Sequence, residues 1–165
     1  MNTAHNAGVR RRHTHAVRVG NTAIGGDNPI RVQSMTNTPT LDTDASVHQC
    51  QEIAAAGADI VRLTAQGVSH ARNLGVIRGA LRDSGCDIPL VADIHFNPAA
   101  AFEAAGNVEK VRINPGNFVD PGRVFKHIDY TDDEYAAELR RLEDKLVPFL
   151  NLCREKGTAI RIGVN

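Results

Sequence analysis

The sequence predicts an α/β fold, a partial TIM (β/α)8 barrel of about five of the eight βα units, preceded by an N-terminal hairpin. Three observations carry this expectation. From residue 30 onward, short β-branched apolar runs alternate with segments of helical periodicity. The order is strand–helix repeated, ending on a strand, which implies parallel βαβ units. Polar residues recur at alternate positions near the C-terminal ends of those strands, where barrels and open α/β sheets place ligand sites.

Residues 1–14 read as a basic flexible tail. Arg10, Arg11 and Arg12 with His13 and His15 could touch an anion, but a solvated arm is the plainer reading. His15 to Ile24 holds two short apolar alternations around Gly20-Asn21, the pattern of a hairpin, with Gly25-Gly26-Asp27 closing it. Ile30 to Met35 reads as a strand. Asp44 to Ala56 reads as a helix with Val47, Cys50, Ile53 and Ala54 on one face and Gly57 as its stop. Asp59 to Thr64 is strand-like. Val68 to Ser84 is helical, with Val68, Ala71, Leu74, Ile77 and Leu81 in phase.

Ile88 to His95 is the next strand. Asn97 caps a short helix with Pro98 at its first position, and Gly106 ends it. Val108 to Asn114 is another strand. Pro115 to Tyr130 is longer than an ordinary connection, and such loops are often functional. Thr131-Asp-Asp-Glu134 is a capping box. It opens a long helix with Tyr135, Leu139, Leu142, Leu146, Phe149, Leu150 and Cys153 on one face. Pro148 should kink that helix or break it in two. Gly157 stops it, and Thr158 to Val164 is a final strand. A parallel strand needs both faces covered, and a barrel takes about 250 residues. The expectation is therefore a barrel domain, residues 15–165, interrupted at its fifth strand.

Composition narrows the function. The 165 residues are 42% hydrophobic and 23% charged, which suits one globular domain. There is neither an apolar run of about 18 residues nor a signal-peptide h-region, so a cytoplasmic protein is expected, or a plastid one if the source is a plant. Lysine plus arginine equals aspartate plus glutamate, 19 each, which argues against a general nucleic-acid footprint. Aromatics are 4% with no Trp, against a base-stacking surface. Cys50, Cys86 and Cys153 lack the paired spacing of metal or cluster ligands and read as buried or surface thiols.

The chemistry lies at the strand ends. Residues two apart share a strand face. Arg62 pairs with Thr64, Asp93 with His95, Arg112 with Asn114, and Arg161 with Gly163 and Asn165. Converging Arg62, Arg112 and Arg161 against Asp93 leaves a local positive excess, and buried charges need partners. Guanidinium forks match phosphate bidentately. His95, Asn114 and Asn165 add directional hydrogen bonds, so a phosphate ester or diphosphate is the expected ligand. The competing readings are arginines paired with helix carboxylates outside the barrel, a structural His95, Asp93 as an orienting group, and Asn114-Pro-Gly-Asn117 as a plain turn. No P-loop, HExxH or GxSxG motif is present.

Five segments occur in order: Val32-Gln-Ser-Met-Thr-Asn37, Ala58-Asp-Ile-Val-Arg62, Pro89-Leu-Val-Ala-Asp-Ile-His-Phe96, Val111-Arg-Ile-Asn-Pro-Gly-Asn117 and Ile160-Arg-Ile-Gly-Val-Asn165. Together they resemble the N-terminal barrel of the 4-hydroxy-3-methylbut-2-enyl diphosphate synthase family, from about Arg11 to the last residue. The resemblance implies an oxidoreductase of isoprenoid biosynthesis that reductively opens 2-C-methyl-D-erythritol 2,4-cyclodiphosphate. It implies electrons from ferredoxin or flavodoxin through a 4Fe-4S cluster, held by three Cys and a Glu in a separate C-terminal domain. It implies a homodimer in which a barrel faces the partner's cluster domain. It also implies that Arg62, His95, Arg112, Asn114, Arg161 and Asn165 grip the diphosphate, and that no residue of this chain ligates the cluster, so that the chain alone should not turn over. Leu-Thr-Ala-Gln-Gly after Arg62, where many members have Val-Ser-Val-Pro, and the long segment Phe118 to Lys145 look like the larger three-domain form. A helix near Val124 to His127 is left open. Two other readings stand: a barrel similar to dihydropteroate synthase binding a pterin diphosphate, and a non-enzymatic partial unit whose open strand edges would make it associate.

Overall fold

A computed structural model describes residues 12–119 and 129–163. An antiparallel hairpin of β1 (Val17–Val19) and β2 (Thr22–Ile24) comes first. Five parallel strands follow in sequential order: β3 (Gln33–Met35), β4 (Ile60–Thr64), β5 (Leu90–Asp93), β6 (Lys110–Ile113) and β7 (Ala159–Ile162). The connections carry α1 (Thr43–Ala55), α2 (Val68–Asp83), α3 (Pro98–Ala104), α4 (Pro115–Val119) and α5 (Asp132–Lys156). The sheet is open among the described residues. The expected α/β class, strand order and hairpin are all present.

The helices form where local chemistry starts them. Asp42 caps α1 by accepting from Ala45 N, and Asn97 caps α3 by accepting from Ala100 N, with Pro98 at the first helical position. The Thr131/Glu134 capping box is formed at α5, and Gly157 ends that helix with φ +69°.

Register sorts the strand residues into two faces. Met35, Arg62, Val91, Lys110 and Ala159 lie on one rung. Thr64, Asp93, Arg112 and Arg161 lie on the next rung of the same face, one step nearer the C-terminal ends. Val61, Leu63, Leu90, Ala92, Val111 and Ile113 point the other way. They are buried in a core with Ala71, Leu74, Ile77 and Leu81 of α2. The inner face has its own small apolar floor, Val19 of the hairpin packed with Ile60, Val91 and Ala159. The hairpin thus closes the N-terminal end of the barrel interior and leaves the polar rungs above it. Among the described residues no helix is long and apolar enough to cross a membrane.

Several expectations are corrected. The first parallel strand is only Gln33–Met35, because Asp59 captures the chain before it: Val32 N donates to Asp59 Oδ2 at 2.8 Å and Arg31 Nη1 to Oδ1 at 3.1 Å. Pro148 does not break the long helix, which runs unbroken from Asp132 to Lys156. A proline there costs about 3 kcal/mol, but Phe149 and Cys153, just beyond it, are buried and hold that end on the core. The apolar face of α5 is covered from Leu142 onward by packing of Leu142, Leu146, Phe149 and Cys153 on the core, while Tyr135, Leu139 and Leu150 are exposed. At 25 residues the helix is about 37 Å long and outreaches its neighbours α3 and α4. The segment from Pro115 is not wholly loop, since it opens with α4. Phe118 of that helix is buried against Phe149, with ring centroids 5.2 Å apart. The segment Val124 to His127, most of the N-terminal tail, Val164 and Asn165 lie outside the described residues.

Candidate functional site

The polar rungs meet at Asp93. Its strand is central, its residue is 2% exposed, and its carboxylate is held from three sides. Arg62 Nη2 donates to Asp93 Oδ2. His95 Nε2 donates to the same oxygen at 3.1 Å, and Arg112 Nη1 to Oδ1 at 3.5 Å. Arg112 Nη1 also lies 2.9 Å from His95 Nδ1. The pattern is satisfied by the Nε2–H tautomer, with Nδ1 accepting from the guanidinium. Parallel pairing does the positioning. Asp93 and Arg112 are rung partners, and Arg62 sits one rung below Asp93 on the neighbouring strand.

The arginines are not saturated by this arrangement. Arg62 Nε is buried without a hydrogen-bond partner among the described residues. Among the described residues the hydrogen bonds of Arg112 run through Nη1, and its Nε and Nη2 lie against Gly163. A cavity of about 430 Å³ opens beside them, lined by Thr64, Ala65, Gln66, Asp93, His95 and Phe96. The loop after β3 is tied to its rim, Thr40 Oγ1 donating to Thr64 O at 2.6 Å.

Each expected residue can now be placed. Arg62, His95 and Arg112 come together, on Asp93 rather than on helix carboxylates. Arg161 shares the rung of Arg112 but is exposed and makes no ion pair among the described residues, so only two of the three arginines converge on Asp93. It faces a larger open cavity of about 1090 Å³ that also takes in Gln33, Ile60 and Lys110. The Asn114 side chain turns back to accept from Gly116 N at 3.1 Å, starting α4. Asn117 is the amide that reaches the site region, Nδ2 donating to His95 O at 2.7 Å. Asn165 lies outside the described residues.

Lys110 was not among the expected residues. It is buried on the same face, with Nζ 3.4 Å from Gln33 Oε1. Its signal was present, since it precedes Arg112 by two, the spacing that joins Arg112 to Asn114. Burial, then the charges of Arg161 and Arg62, holds its proton affinity below that of an ordinary lysine.

Residues 14–165 match the profile of the GcpE TIM-barrel domain. The chain belongs to that family. The GcpE barrel chain is 60% identical over 155 residues to 4-hydroxy-3-methylbut-2-en-1-yl diphosphate synthase (flavodoxin) of Bacteroides fragilis. It is 55% identical to the protein of that name from Akkermansia muciniphila and 50% identical to that of Chlamydia felis. Each match covers 94% of this chain and about a quarter of the relative, 25% or 26%. A solved dihydropteroate synthase of Burkholderia cenocepacia, complexed with 7,8-dihydropteroate, aligns over 91% of this chain and 63% of that one. Its TM-score is 0.49 at 18% identity.

The described residues of the GcpE barrel chain do not suit an iron–sulfur cluster. Among the described residues no three His, Cys, Asp or Glu side chains are grouped as metal ligands. Burial pushes the Cys50 thiol up to about 12 and Cys153 up to about 11, which keeps both protonated, whereas a cluster is held by thiolates.

Proposed function

We propose that this barrel face grips the diphosphate of 2-C-methyl-D-erythritol 2,4-cyclodiphosphate during its reductive opening to 4-hydroxy-3-methylbut-2-enyl diphosphate. The name of the relatives supplies the reaction, and flavodoxin is the electron donor by the same reading. The carrying observation is the buried Asp93 carboxylate with Arg62 and Arg112 turned onto it and, among the described residues, Arg62 Nε left without a partner.

Asp93 has two effects. It holds two guanidinium groups side by side at the strand ends, where free they would repel, and it fixes the His95 ring. The groove that results is preorganised for an anion, so little ordering cost remains at binding. Arg62 and Arg112 then offer charge-assisted hydrogen bonds to phosphoryl oxygens. Arg161, one strand further along on the Arg112 rung, supplies charge and makes no ion pair among the described residues. In this reading the chain binds and orients substrate. In the full-length homodimer a 4Fe-4S cluster, held by residues other than those described, would supply the electrons.

The test is calorimetric titration of the full-length protein with inorganic diphosphate. Arg112→Ala should weaken binding by about a hundredfold, the value of one strong charge-assisted pair, and leave the visible absorbance of the cluster intact. Unchanged binding would remove the proposed role of this face, and loss of the cluster absorbance would make Arg112 structural.

A further inference from the structure

Lys110 sits one rung deeper than Arg112 on β6, about 7 Å nearer the barrel floor. Its residue is 7% exposed, and on its rung it is flanked by Val91 and Ala159, both part of the apolar floor. Among the described residues its one hydrogen-bond partner is the neutral Gln33 Oε1, at 3.4 Å. The charges that reach it are those of Arg161 and Arg62, and both are positive. Asp93, the carboxylate of this face, is already engaged by Arg62, His95 and Arg112.

A buried ammonium among guanidinium groups costs stability, and a Leu or Met of similar volume would serve the fold better. Nothing among the described residues neutralises it, so a ligand is the natural reason for it. The position also says which part of a ligand it would meet. Arg112 presents a planar fork on the rung above Lys110, and Arg62, although its backbone shares the Lys110 rung, raises its guanidinium to Asp93 at that upper level. Lys110 presents a compact point charge with rotatable donors below them, on the wall of the larger cavity beside Arg161. A monophosphate at the mouth is satisfied by the forks alone. An anion with two linked phosphoryl groups can extend its second group down to the Lys110 rung.

We propose that Lys110 is a further substrate-binding residue, which receives the inner phosphoryl group and makes the site selective for diphosphates over monophosphates. This rests on the diphosphate-binding reading above. Charge and reach both match: the inner group neutralises Lys110 and Arg161 together, while the outer group meets Arg62 and Arg112.

The experiment compares inorganic diphosphate with orthophosphate as competing probes on the full-length protein, for wild type, Lys110→Met, Lys110→Arg and Arg112→Ala. Lys110→Met should weaken diphosphate binding at least about tenfold, the loss of one charge-assisted hydrogen bond, and change orthophosphate less than about threefold. Its melting temperature without ligand should equal or exceed that of wild type, because a buried unpaired cation is gone. Lys110→Arg should retain part of the diphosphate preference. Equal weakening of both probes would overturn the proposal in favour of a general field effect, and unchanged binding of both would overturn it outright. A loss of melting temperature or failure to fold in Lys110→Met would assign Lys110 to a structural ion pair and overturn it as well. Arg112→Ala separates the two claims. If it weakens diphosphate while Lys110→Met does not, the site stands and the role of Lys110 falls; if neither weakens it, the site reading itself falls.

Discussion

The Arg112 guanidinium occupies the space a side chain at Gly163 would need: a Cβ built there lies 2.6 Å from Arg112 Nε and 2.8 Å from Nη2. Gly163 also donates its N–H to Ile113 O at 2.8 Å, which continues the β6–β7 pairing past the last strand residue. The two contacts together lay the flat guanidinium of one strand on the bare backbone of the next. The conformation of Gly163 is not left-handed, so its missing side chain, rather than its backbone freedom, is what the site uses.

Gly163→Ala should therefore separate binding from stability. The new methyl group displaces a flexible side-chain end, not backbone, so the melting temperature should hold or rise slightly, within about 1 kcal/mol. Diphosphate affinity should fall about tenfold as Arg112 is pushed out of line. Calorimetric titration and thermal melting on the same preparation check both halves, and a stability loss with intact affinity would refute the role given to Gly163.

Asp93→Asn should show what the carboxylate is for. It leaves Arg62 and Arg112 facing one another at a nearly closed position, and removing one partner of a buried ion pair costs about 3–5 kcal/mol. A bound anion replaces the missing counter-charge. Inorganic diphosphate should thus raise the melting temperature of Asp93→Asn more than that of wild type. A smaller rise in the variant would mean that Asp93 serves mainly to aim the arginines.

The parallel order and the gathering of polar residues on one face were legible before the structure, the second because it rests on a period of two. Arg62, Asp93 and Arg112 obey it, and register then forces them together. Arg161 obeys it too, yet stands apart, since being on the right rung does not decide where a long side chain ends. Asn114 failed for a different reason: short amides compete for backbone donors, and Gly116 N was two residues away. The helix at Pro115 was hidden because five residues have no readable periodicity, and what holds Phe118 in place is Phe149, far along the chain. Lys110 obeyed the same period and escaped notice because a lysine in a strand reads as solvated.

Asp59 should make entry into the sheet pH-sensitive. Val32 N–H donates to its carboxylate and Arg31 pairs with it, and together these hold its pKa below the usual 3.8 despite partial burial. A depressed carboxylate contributes stability that is fully present above its unfolded value and is lost as pH falls through the folded one. The difference in melting temperature between wild type and Asp59→Asn should be present at pH 7 and shrink below about pH 4. A difference independent of pH would mean that the side chain acts by shape rather than charge.

The three thiols should differ sharply in reactivity. Burial, and then the neighbouring Cys86, pushes Cys50 up to about 12, and burial alone pushes Cys153 up to about 11. Attack requires thiolate, so at pH 8 in the folded protein both should resist a disulfide exchange reagent, while the half-buried Cys86 reacts first. The raised values carry the opposite sign to Asp59. Their share of stability is complete below the unfolded value of 9.0 and is lost as pH rises from there toward 11–12. Alkaline unfolding should therefore begin above about pH 9 and be accompanied by the release of Cys50 and Cys153 to the reagent. Rapid labelling of all three at pH 8 in the native state would show that α1 and α5 open readily from the sheet, and would remove the objection that these thiols cannot serve as cluster ligands.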